Sequence, residues 1–261
     1  MGSIVFIHGM GHDTNREYWR RWADALLPYL IKQGIQPAEV YFSGIYYYDL
    51  VPQPGDGWKK ITSPFTRDIQ EEMQKDLFGQ IAREESTRDS LGRGPLANFI
   101  DLVADNFGDI FTYILDEQVY QQVNNRFYQG IVNLPGPVTL IAYSLGTMVS
   151  FCAMQQRPDL VYPINHFITL GSPIFWFRKW LQKRTKLTHR PTDAHWTNLA
   201  GHIDVACPHL ISYEACSPDT NLECELDKFN PVKGHLAYFH QPAALQLLAK
   251  EIAARWQTGH W

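Results

Sequence analysis

The scarcities of this 261-residue sequence narrow its reading first. Its four cysteines, Cys152, Cys207, Cys216 and Cys224, form no C-x-x-C pair and no zinc-ligand spacing, which argues against a zinc ribbon or a redox-active dithiol. Cys216 and Cys224 could pair in a secreted chain, but four free thiols in a reducing cytoplasm are the expectation. Long apolar runs are also missing. "MGSIVFIHG" has no basic lead-in, and its apolar stretch is too short for a signal peptide or a membrane span. Phe6 stands where a myristoylation signal needs Ser or Thr. Neither charge sign dominates: 23 Lys and Arg face 27 Asp and Glu, a net charge of −4, so nothing global calls for a nucleic-acid partner. There is no internal repeat and no low-complexity tract. With 45% hydrophobic residues the chain is long enough to bury a sizeable core. The expectation is a cytoplasmic protein with no integral membrane segment.

The apolar residues are arranged as strands alternating with helices. Ser3–His8 reads as a strand buried on both faces, closed by the glycine loop "HGMGHD". Residues 15–33 carry Trp19, Trp22, Ala23, Leu26, Leu30 and Ile31 at helical spacing, with a bend expected at Pro28. Val40–Tyr46, Val138–Tyr143, Ile164–Leu170 and Trp196–Ala200 are further strand candidates. Residues 58–91 are polar with helical propensity, 96–132 predict one or two amphipathic helices, a helix begins at Leu145, and 241–256 close the chain as a helix. This alternation predicts an α/β fold with a mainly parallel sheet flanked by helices. The stretch between the second and third strands exceeds an ordinary crossover, so 47–132 is expected to be a helical insertion that caps one end of a single domain spanning 1–261.

In an open parallel sheet, functional groups collect beyond the carboxyl ends of the strands. The polar residues there are His8 to Asp13, Ser144, Gly171-Ser172, Asp204 and His235. Ser144 lies in Ala142-Tyr-Ser-Leu-Gly146, where a strand turns sharply into a helix. A nucleophile elbow demands small residues two before and two after the serine, because the turn brings the flanking backbone together. The competing reading is a serine that merely caps the helix. A nucleophilic serine also needs a base, and the base needs an orienting carboxylate. Asp204, just past a strand in "WTNLAGHIDVACP", is the best-placed acid, with Glu214 and Asp219 as alternatives. Asp193 precedes that strand and falls at the wrong end. His235 in "VKGHLAYFHQP" is the base candidate, with His240 as fallback and His209 too close to Asp204 in sequence.

Taken together, these segments resemble an α/β-hydrolase of the lipase/esterase type. "IVFIHGMG" is similar to that superfamily's first strand and oxyanion loop, "TLIAYSLGTMVS" to its elbow, and "FITLGSPI" to the strand and Gly-Ser-Pro that follow. "WTNLAGHIDVACP" and "GHLAYF" are similar to its acid and histidine loops. The resemblance covers most of the chain outside 50–130. It implies a catalytic Ser144–His235–Asp204 triad, an oxyanion hole made by the backbone N–H groups of Met10 and Leu145, hydrolysis of an ester or lipid through an acyl-enzyme, and no metal or other cofactor. It also implies an abbreviated form of the fold, beginning at what would be the third strand. The departures are Ala142 in place of glycine and Val205 where proline is usual. An acyltransferase or thioesterase would use the same triad, and a non-catalytic ligand-binding protein could share the fold.

Three further features bear on substrate. The aromatic run "YFSGIYYYDL" at 41–50 ends near the expected site, so Tyr47, with Tyr143, is a substrate-contact candidate; packing is the plainer role for both. "FWFRKWLQKRTKLTHR" at 175–190 interleaves aromatics with six Lys or Arg. That pattern suits either a solvated helix face or peripheral contact with anionic lipid. His8 is expected to pack behind the loop, a metal site with His12 and Asp13 being the remote alternative.

Overall fold

The computed structural model describes residues 1–9, 13–51, 64–87, 109–202, 204, 206–207, 216–226 and 231–256. Among the described residues there are six strands: β1 (Gly2–Ile7), β2 (Val40–Ile45), β3 (Val138–Tyr143), β4 (Ile164–Leu170), β5 (His195–Gly201) and β6 (Thr220–Cys224). They form one sheet in the order β2-β1-β3-β4-β5-β6, and every neighbouring pair is parallel. The helices are α1 (Trp19–Lys32), α2 (Pro64–Thr87), α3 (109–115), α4 (Glu117–Ile131), α5 (Leu145–Gln156), α6 (Ile174–Leu181), α7 (Pro231–Leu236) and α8 (Pro242–Trp256). This is the α/β architecture expected from the alternation of apolar runs.

Alternate side chains of each strand face opposite ways, and both faces are covered. Ile4, Phe6, Ile141, Ile168 and Leu199 pack with α1 and α8. Val5, Ile7, Leu140, Phe167 and Trp196 pack with α4, α5 and α6, and α2 and α3 join that layer through Leu77, Ile81, Ile110 and Phe111. Helix α5 is buried continuously from Leu145 to Met154, which explains why its sequence is apolar all round and not striped.

The expected helical stretch 96–132 resolves, among its described residues, into two helices. Asp116 divides them because its carboxylate accepts the Val119 N–H at 3.0 Å and caps α4. Helix α1 runs through Pro28. The basic-aromatic segment divides by face: Trp176, Phe177, Trp180 and Leu181 are core residues. Lys179 lies by Glu72 and Asp76, and Arg184 pairs with Glu117. Among the described residues, no helix is long and apolar enough to cross a membrane, and all four cysteines are free.

The winding fixes where a site can form. The connection from β1 to β2 runs through α1 on one face, and the connection from β2 to β3 returns over the other face through α4. The chain therefore changes direction between β1 and β3, and beyond the carboxyl ends at such a switch point is where open α/β sheets place their functional groups. His8-Gly9 and Ser144 follow those two strands directly.

Candidate active site

Ser144 joins β3 to α5 with φ 53° and ψ −125°, and it has the only positive φ of any non-glycine among the described residues. Such a conformation costs on the order of 1–3 kcal/mol and persists only where surrounding contacts enforce it. Here the Ser144 N–H donates to the Leu170 carbonyl at 2.9 Å, and the Thr147 hydroxyl donates to the Ser144 carbonyl at 2.7 Å. Thr147 Oγ1 in turn lies 2.8 Å from Ser172 Oγ. The turn is crowded enough to require its glycines. A Cβ on Gly146 would stand 2.5 Å from the His8 carbonyl oxygen, and one on Gly9 2.5 Å from Ser144 Cβ. Ala142, fully buried, takes the other small-residue position without a left-handed φ.

The Ser144 side chain makes no capping hydrogen bond. Its Oγ lies 3.0 Å from His235 Nε2. His235 Nδ1 lies 3.0 and 3.1 Å from the two carboxylate oxygens of Asp204. An ionised carboxylate only accepts, so Nδ1 carries the proton and Nε2 is left to accept from the serine. The structure thus brings together Ser144, His235 and Asp204, which are 1%, 2% and 1% exposed. In such a dry setting their mutual electrostatics are strong.

Burial alone would push the Asp204 carboxyl up. Attraction to His235 and hydrogen bonds from His235, Tyr238 and the Ala206 N–H outweigh it, so the group is held below the usual carboxylate range. The Tyr238 hydroxyl donates to Asp204 Oδ2 at 2.7 Å, and the Ala206 N–H donates to Oδ1 at 2.8 Å. His235 sits on α7, a short helix opened by Pro231, and not in the loop expected there. Tyr143 braces it from the other side: its ring stacks on the imidazole at 5.1 Å, and its hydroxyl donates to the His235 carbonyl at 2.9 Å.

Leu145 begins α5, where the first N–H groups of a helix have no acceptor within it. Met10, the other oxyanion candidate, lies outside the described residues, as do His12, Val205, His209 and Glu214. Tyr47 is fully buried, and its hydroxyl lies 2.9 Å from the His8 carbonyl oxygen and 3.2 Å from that of Gly9. His8 is stacked against Tyr47 and Tyr48 at 4.0 and 3.6 Å. It accepts the Tyr47 N–H at Nε2 and so donates from Nδ1 to the Gly9 carbonyl. Burial pulls it down to about 3, so it stays neutral. His240 is exposed, and Asp219 is held by Arg190 at the opposite end of the sheet.

Tyr238, Thr147 and Tyr143 as a brace were not legible as site residues from their local sequence. The spacing of Tyr238, three residues after His235, was the one available signal. A separate cleft of about 850 Å³ opens at the amino ends of the strands, lined in part by Tyr162, Lys183, Lys186 and His189, and includes none of the three clustered groups. Among the described residues no cluster of His, Cys, Asp or Glu could hold a metal ion. Scans of the chain against protein-family models and against curated protein sequences give no match.

Proposed function

We propose that this chain is a serine hydrolase that cleaves a carboxylic ester through an acyl-enzyme, on an abbreviated α/β-hydrolase fold. The observation that carries the proposal is the continuous hydrogen-bonded line from Ser144 Oγ through His235 to Asp204, hung from a strained serine at a strand-to-helix turn. The start of α5 directly after Ser144 and the close approach of Gly9 to Ser144 support it further.

In the proposed reaction, His235 Nε2 takes the Ser144 proton as Oγ bonds to the ester carbonyl carbon. The carbonyl oxygen becomes an oxyanion held by the N–H groups of Leu145 and Met10, donors whose individual loss typically costs about 10²–10³ in rate. The imidazolium, steadied by Asp204, gives its proton to the leaving alcohol as the ester C–O bond breaks. Water then repeats the sequence on the acyl-enzyme, releasing the acid and restoring Ser144. Tyr47 and Tyr48 back His8 and Gly9 after β1, and α4 serves as the crossover helix from β2 to β3.

The test is to treat the protein with a fluorophosphonate probe, map the adduct, and assay p-nitrophenyl esters of increasing acyl length. The adduct is expected on Ser144, and Ser144→Ala should lose both labelling and turnover. Unchanged activity in that variant would reject the proposal. Activity that survives His235→Ala but not His240→Ala would move the base. Including a thioester and an added alcohol acceptor separates hydrolysis from acyl transfer.

A further inference from the structure

We propose that Tyr238 is a positioning residue that fixes the Asp204 carboxylate for His235, so that the turn carrying the base also governs the acid. This rests on the serine-hydrolase reading above.

The geometry leaves the phenol little freedom. The Gly201 N–H donates to the Tyr238 oxygen at 2.7 Å, so the phenol's single proton points the other way, to Asp204 Oδ2, also at 2.7 Å. The Gly201 carbonyl meanwhile accepts the Asp204 N–H at 3.0 Å. One glycine at the end of β5 therefore orients both the phenol and the backbone of the acid. Oδ1 is held separately by the Ala206 N–H at 2.8 Å and the Cys207 N–H at 3.4 Å. With both oxygens so held, each lies within 3.1 Å of His235 Nδ1. Gly171 makes room for this contact: a Cβ there would lie 2.7 Å from Asp204 Oδ2, 2.9 Å from Tyr238 Cε2 and 3.0 Å from His235 Cε1.

Tyr238 is 1% exposed and packs edge-on to Tyr143 at 6.0 Å, so its ring also has a structural role. The hydroxyl is the separable part. Facing the carboxylate among the described residues are Tyr143, Tyr238, Cys207, Cys224 and His235. Burial keeps both phenols and both thiols protonated. The acidic limb of the rate profile therefore reports protonation of the base, with Asp204 as its charged neighbour. Without the phenol's proton, more of the carboxylate's charge falls on His235 and favours the imidazolium.

The experiment compares kcat/KM against pH for the wild-type chain, Tyr238→Phe, and a chain with 3-fluorotyrosine at position 238. The downfield His235 Nδ1–H proton resonance is followed in each without substrate. Tyr238→Phe should lower kcat about tenfold and move the acidic limb up by about 0.5–1 pH unit. Fluorotyrosine, a stronger donor of the same shape, should move the limb down. The resonance should change its titration in the same two directions. If Tyr238→Phe does not fold, the fluorinated chain carries the test. A limb and resonance that stay put in every folded variant would reduce Tyr238 to packing and overturn the proposal. A wild-type chain with no esterase activity and no probe labelling would reject the hydrolase reading, while the resonance would still report on Tyr238.

Discussion

At the carboxyl ends of β3 and β5 a serine, a histidine and an aspartate meet. At the amino ends of β4, β5 and β6 a second group of similar side chains meets: His166, His195, Thr197, Thr220 and Asp219. His166 Nε2 lies 2.9 Å from Thr197 Oγ1, and His195 Nε2 lies 3.2 Å from Thr220 Oγ1. The ingredients match, and at His195 so does their order, with Nδ1 3.5 Å from Asp219 Oδ2, but the carboxylate there is already engaged. His166 Nδ1 is buried with no partner among the described residues, so no carboxylate stands behind that imidazole. Asp219 is neutralised by Arg190, which with the Trp196 N–H holds its carboxyl down at about 2. Burial, with help from His195 and Arg255, pulls His166 down to about 3. Its hydroxyl partners sit in regular strands and not on a strained turn. Chemistry of the proposed kind needs a hydroxyl, an imidazole and a carboxylate not already paired with a cation, and among the described residues that set lies at the carboxyl end of the sheet.

Substitutions can test this contrast, beginning with the largest effect. Ser144→Ala should lower kcat/KM by about 10⁴-fold or more, whereas Thr197→Ala should leave it within about twofold while lowering thermal stability. Comparable losses from both would erase the distinction. Asp204→Asn should cost about 10⁴-fold in kcat by allowing the wrong imidazole tautomer. Asp219→Asn should instead lower the melting temperature and spare kcat. Glycines offer a third pairing. Gly171 has φ 55°, and its added Cβ would press on Asp204 and His235, so Gly171→Ala should lower kcat about 10–100-fold. Gly136 has φ 66°, and its Cβ would stand 2.1 Å from the Met1 carbonyl oxygen. Gly136→Ala should therefore destabilise the fold without changing kcat per labelled active site.

The smallest effect on turnover is expected at His166. Folding holds His166 and His8 neutral down to about 3, whereas an unfolded histidine titrates near its ordinary 6.5. The unfolded chain therefore binds more protons between those values. The stability these groups contribute is complete above about pH 6.5 and falls with acid, by up to about 1.4 kcal/mol per pH unit for each proton. His166→Phe should flatten the decline in urea midpoint between pH 6.5 and 4 and barely alter kcat. An unchanged slope would show that His166 titrates normally.

Much of the frame was legible because β1, β3 and β4 are near-continuous apolar runs, as strands covered on both faces must be. Their ends identify the places where polar residues need another explanation than solvation, and Ser144 stood out for that reason. β6 was not legible. "TNLEC" is a short, half-exposed edge strand with one large apolar side chain, so neither alternation nor a run marks it. Tyr238 was hidden for a different reason: an aromatic beside other aromatics looks like core, and its hydroxyl partner lies 34 residues away. The basic-aromatic stretch at 175–190 left two roles open, a solvated helix face or lipid contact, because alternation of rings and charges along a helix separates them onto different faces. Trp176, Phe177 and Trp180 face inward, and Lys179 faces out.

The line joining Ser144 to His235 spans 91 residues of chain, and that joining His235 to Asp204 spans 31. Neither link can form early through local contact, since each requires a long loop to close first. The strained turn at Ser144, by contrast, is held by Thr147 and by Leu170 of the adjoining strand β4, both of which precede Asp204 and His235 in the chain. During synthesis or refolding the turn at Ser144 can therefore be built well before Asp204 and His235 arrive with the final quarter of the chain. Recovery of probe labelling should lag recovery of helical signal, with docking of the 231–239 segment as the event that closes the gap.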